Sequence, residues 1–136
     1  LSSWNEIDLT AVPTDQDVLP EGVEFTFELL QGARYGKFDA NRIEAAAKVV
    51  DGEFAGKVSY FSYPDPEKQP WSSGVFVRMT RALGEDINEG EDPVAYLHRV
   101  AGGKFLSKVK HRPYSSDGVD GVKAELAIGN VKPVRQ

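Results

Sequence analysis

The chain of 136 residues has no cysteine, one methionine and only two histidines. Without cysteine there is no thiol nucleophile, no Cys-ligated zinc and no disulfide framework, a composition that fits a reducing compartment. His98 and His111 belong to no cluster with metal-ligand spacing, so neither a metal nor another cofactor is expected. The serines lack a Gly-x-Ser-x-Gly setting. The acids of "EDINEGED" (85–92) read as a solvated connection rather than an acid/base pair. These absences point away from an enzyme. No apolar run approaches a membrane span, and residues 1–20 lack the basic start and compact apolar stretch of a leader, so the expectation is a soluble protein with no membrane partner. The first residue is Leu1 rather than Met, which implies a missing leader or a processed product.

Positive charge is also missing from one end. Residues 1–30 hold seven acids and no Lys or Arg, leaving 14 acids against 16 bases in the rest, so the net charge of −5 divides into an acidic leading segment and a slightly basic body. Two prolines and many turn formers in "LSSWNEIDLTAVPTDQDVLPEG" indicate an extended arm over 1–21, with Trp4 and Leu9 as its anchors for subunit contact. Residues 22–136 then form a single domain.

What is present is mostly strand pattern. "VEFTFELL" sets Phe25, Phe27 and Leu29 on one face, and "RIEAAAKVV" does the same with Ile43, Ala45, Ala47 and Val49. Asp51-Gly52 marks a hairpin into a third strand, 57–63. A phosphate-binding loop is excluded there: Gly52 and Gly56 enclose three residues instead of four, and Val58 rather than Ser or Thr follows Lys57. After "PDPEKQP", a helix begins near Ser72 or Ser73 with Val75, Phe76, Met79 and Leu83 on one face and Gly84 at its end. Asp92-Pro93 opens a shorter helix. "KFLSKVKHRPY" and "VKAELAIGNVKPV" read as the fourth and fifth strands. Three strands, a helical insertion and two strands give the expected fold: mainly β, a five-stranded OB-like Greek-key barrel. Another small β-sandwich or barrel with a helical insert is the alternative.

The bases are patterned too. Strand alternation places Lys108, Lys110 and Arg112 on one face, which is either a cationic track or an edge strand guarded by lysines. The first loop interleaves Arg34, Tyr35, Lys37 and Phe38, and Tyr60, Phe61 and Tyr63 follow, with Tyr60 and Phe61 on opposite faces. Aromatics beside backbone-neutralising cations suit single-stranded nucleic acid. The candidate contacts are Arg34, Tyr35, Lys37, Phe38, Lys48, Lys57, Tyr63, Lys108, Lys110 and Arg112.

"KVVDGEFAGK", "W…VRMTRALG", "GGKFLSKVKHRPYSSDG" and "NVKPV" resemble a family of short phage proteins of unknown function encoded near recombination and replication genes. The resemblance spans about residues 22–134 and implies an OB-fold protein that binds single-stranded DNA, in the cytoplasm of an infected or lysogenic bacterium. The chain departs from many such binders in ending on "VKPVRQ" instead of an acidic tail. The second expectation is a non-enzymatic virion protein, a capsid or tail decoration subunit or homo-oligomer that uses the arm for contacts.

Overall fold

The computed structural model describes residues 18–116 and 118–134. Alternation decides the first strands. In β1 (Phe25–Leu29) and in β3 (Ile43–Val49) every second side chain is buried. Alanines are weak strand formers, yet Ala45 and Ala47 stay extended because β3 is paired on both edges, Glu28↔Lys48 on one side and Ala46↔Tyr60 on the other. A two-residue strand, β2 (Arg34–Tyr35), also pairs with β3.

Asp51 and Gly52 do turn the chain, with Gly52 at φ 77°, but the connection to β4 (Val58–Tyr63) is a longer loop. It tucks Phe54 edge-on against Phe25, ring centroids 5.8 Å apart. Helix α1 (Trp71–Leu83) starts directly after the proline-rich stretch, whose last residue, Pro70, is its N-cap with no side-chain cap bond; Ser72, expected near the cap, is buried inside it. Gly84 ends it at φ 74°, a backbone region open to glycine at little cost. In α2 (Pro93–Arg99) the Asp92 carboxylate accepts from Ala95 N at 3.0 Å and Pro93 occupies the first turn, as the sequence implies.

The remaining strands are β5 (Lys104–Ser107), β6 (Val109–Ser116) and β7 (Val119–Leu126), followed by a 3-10 turn at Ile128–Asn130. The sheet order is β5-β1-β3-β4-β7-β6, antiparallel throughout except for β4 and β7, which run parallel. One side of the sheet and the helices enclose an aromatic core: Phe27 stacks on Phe105 at 5.8 Å, and Tyr63, Phe76 and Tyr96 follow in edge contacts at 5.2 and 5.9 Å.

The expected closed five-stranded barrel is corrected by this topology. The fold is a mixed α/β arrangement of seven strands in an open sheet with two helices. The run read as one fourth strand is two, parted at Lys108. Up to Ser107 it pairs with β1, and from Val109 it pairs with β7. Lys108 itself is diverted, its carbonyl accepting from Ala127 N at 2.8 Å while Ser107 Oγ donates to Ala127 O at 3.0 Å. Among the described residues no ladder joins the end strands β5 and β6 to each other.

The described end of the leading segment packs on the sheet. Leu19 is part of the buried core, and His111 on β6 meets this segment twice, its backbone N–H donating to Glu21 Oε1 at 2.6 Å and its Nε2 lying 2.6 Å from Leu19 O.

Candidate functional site

Residues registered across a ladder share a face, so Lys110↔Glu125, Arg112↔Lys123 and Tyr60↔Glu125 place these five side chains on the outer side of the sheet. Between the β6–β7 hairpin and α1 with its neighbouring 3-10 turn lies a cleft of about 570 Å³. Arg42, Ser62 and Pro64 form one wall, Trp71 and Val75 of α1 a second, and Lys110, Arg112 and Glu125 the third, with Ile128 at the base of the turn. Arg78 fastens α1 to that turn by donating to Gly129 O.

The polar groups are ordered. Arg42 Nη2 donates to Ser62 Oγ at 2.9 Å, Trp71 Nε1 donates to Gln69 Oε1 at 3.0 Å, and the Arg112 guanidinium pairs with Glu125. Glu125 is committed to Arg112, Arg42 meets only a neutral hydroxyl, and Lys110 has no ion pair among the described residues. Three cations against one acid give the cleft an excess of positive charge beside the flat face of a half-exposed Trp71 (52 %).

Of the residues singled out in the sequence, Lys110 and Arg112 line this cleft, and Lys108 is half-buried outside it. Tyr63 is removed from any surface site: it is 2 % exposed, packed on Phe61 and Phe76, and burial drives its phenol far above the ordinary range. Lys48 pairs with Glu28 at 3.5 Å, and Lys57 stands beside Val58 and Tyr60 in a separate furrow. Arg34 reaches Glu44 at 4.0 Å. Tyr35 donates to Asp92, a bond that raises the phenol to about 12 and holds the Asp92 carboxyl below its usual range, so this side chain ties its loop to α2. Phe38 is 96 % exposed at the loop tip with the Lys37 ammonium 5.8 Å over its ring. Trp4 and Leu9 lie outside the described residues.

Arg42 and Trp71 were the residues the sequence reading passed over. The signal for Trp71 is a lone Trp following "PDPEKQP" just before a helix; Arg42 has none beyond its charge. Among the described residues no group of His, Asp and Glu is arranged to hold a metal, and no helix is long and apolar enough to cross a membrane.

No protein-family model matches the chain, and no curated protein matches it. The resemblance to the phage proteins therefore stands on the sequence alone. The single-stranded-DNA reading is corrected along with the fold. It rested on a closed barrel, whereas the sheet is open and the expected contacts are dispersed between a cleft, a furrow, a loop tip and the core. Nor does any described feature support a particle subunit, since the anchors invoked for it, Trp4 and Leu9, are outside the described residues.

Proposed function

We propose that the protein is a non-catalytic binding module whose cleft takes a small organic anion carrying a flat apolar part. One observation carries this reading: Arg42, Lys110 and Arg112 converge with Trp71 on a single concavity of about 570 Å³, within the size range of small-molecule sites. Lys110 and Arg42 receive the carboxylate or phosphate, and Arg112, already oriented by Glu125, contributes a fixed donor fork. The apolar ring lies against Trp71, Val75 and Ile128, where it removes hydrocarbon from water on both partners. Among the described residues the cleft has no histidine and no second carboxylate near Glu125, and Ser62 meets only the Arg42 guanidinium, which takes up no proton, so the cleft offers recognition without a proton-transfer pair.

Calorimetric titration separates the two parts of the recognition. The full chain is titrated at low salt with 2-naphthoate, with cyclohexanecarboxylate (the charge without the flat ring) and with neutral 2-naphthol (the ring without the charge). The expected order is 2-naphthoate tightest, with Lys110→Glu weakening it by about tenfold, the equivalent of one charge-assisted hydrogen bond. Equal affinity for all three probes, or an unchanged Lys110→Glu variant, contradicts the reading.

A further inference from the structure

A carboxylate brings a single negative charge, and the cleft holds more positive charge than that would answer. Arg42 and Lys110 both line it and enter no ion pair among the described residues. Of the acids beside them, Glu125 is answered by the Arg112 guanidinium, and Glu44, registered opposite Ser62, lies 4.0 Å from Arg34. Two more cations border the cavity: Lys123 is registered opposite Arg112, and Arg78 donates to Gly129 O in the lining. Arg42 and Lys110 thus leave two formal positive charges unanswered inside the cleft, and the rim adds to them rather than cancelling them.

The donors point the same way. Lys110 and Arg42 together carry more N–H groups than the two oxygens of one carboxylate can accept from, and Ser62, which accepts from Arg42, still has its own hydroxyl proton to give. Arg42 is also held in place. Its backbone N–H donates to Asp39 O at 3.1 Å, its carbonyl accepts from Gly36 N at 2.7 Å and its guanidinium is braced on Ser62, so a ligand has little to order on arrival. A phosphate monoester offers three terminal oxygens and, above about pH 6, a second charge. We infer that the head group selected by the cleft is doubly charged, the phosphate monoester of a flat ring, received by Arg42 and Lys110 together while the ring lies on Trp71; this rests on the anion-binding reading of the cleft. One cation suffices for a monoanion, whereas a dianion engages both.

Calorimetry on the full chain at low salt and about pH 8 tests this with 2-naphthyl phosphate, with its methyl diester (the same ring and head with one charge) and with inorganic phosphate (the head without the ring). The monoester is expected to bind about tenfold more tightly than either of the others. Arg42→Gln should bring the monoester and the diester within about twofold of each other. Glu125→Gln, which keeps an acceptor for Arg112 and removes the acid, should tighten the monoester about threefold, a gain that damage to the fold does not produce. Equal affinity for monoester and diester while 2-naphthoate still binds overturns the inference and leaves the reading of the cleft standing; no binding of 2-naphthoate or of either ester removes both. Inorganic phosphate bound as tightly as the monoester also overturns it, as does a preference for the monoester that survives Arg42→Gln unchanged.

Discussion

The strands of β1, β3 and β5 and the hairpin of β6 and β7 are built from similar alternating sequence, yet they are stabilised differently. In the first group alternate side chains are buried, and the rings of Phe27 and Phe105 are fully enclosed. Along β6, His111, Arg112, Pro113 and Tyr114 are all exposed, although eight registered pairs join β6 to β7. The first region is held by hydrocarbon removed from water, the second by its ladder and cross-strand neighbours. Only at its Val109–Leu126 end does the hairpin reach the core, so most of its side chains are left to the surface.

The largest expected contrast comes from truncating one aromatic in each region. Phe105→Ala should cost about 3–5 kcal/mol, as a fully buried ring does, whereas Tyr114→Ala should cost about 1 kcal/mol or less. Urea denaturation of both variants checks this, and equal losses would erase the distinction between the regions.

Asp92 sharpens the comparison from the loop side, because it caps α2 and also receives the Tyr35 hydroxyl. Asp92→Ala should lose about 1 kcal/mol, the worth of an N-cap. The bond from Tyr35 keeps the Asp92 carboxyl below its ordinary range, and the bonds from Arg99 do so for Glu91. Stability from both is therefore complete above the ordinary carboxylate range and disappears as pH falls through their lowered values. Melting temperature measured against pH should show a shallower acid limb in Asp92→Asn than in the unaltered protein. On the alkaline side, the Tyr35 phenol raised to about 12 contributes stability that is lost as pH climbs from its ordinary value toward that one, and Tyr35→Phe should flatten that limb.

Within the hairpin, Gly121 faces Tyr114, and a Cβ there would lie 2.6 Å from the ring carbon Cζ. Gly121→Ala should destabilise by about 1 kcal/mol by displacing the ring, and the penalty should vanish in the Tyr114→Ala background, a coupling that a double-mutant cycle reads directly. The smallest effect is expected in the core. The Tyr63 hydroxyl is buried and has no hydrogen-bond partner among the described residues, so Tyr63→Phe should be neutral or stabilising by up to about 1 kcal/mol. A clear loss would mean that the hydroxyl has a partner.

Local chemistry made part of this legible in the sequence. The inward faces of β1 and β3, the left-handed Gly84 and the Asp92-Pro93 start of α2 each follow from residues within one turn or one strand of each other. The parting at Lys108 carried no such mark. No glycine or proline stands there, and the chain turns because Ser107 and Lys108 bond to Ala127, 20 residues from Ser107. β2 is two residues long and owes its existence to the edge of β3. In the site, alternation identified Lys110 and Arg112 as sharing a face, but it could not bring Arg42 and Trp71 to them, since those approach through the packing of α1 and the loop before β3. Tyr63 was misplaced for the same reason: period alone does not say which face the helices will cover.

The cleft is tested most directly by mapping backbone and indole N–H shifts of the full chain by NMR as 2-naphthoate is added. Binding there should move the Trp71 indole and the amides of Arg42, Lys110, Arg112 and Ile128 along one saturable curve, while Tyr114 and Gly121 at the far end of the hairpin stay in place. Shifts that fail to saturate, or that centre on residues outside this set, would contradict the account.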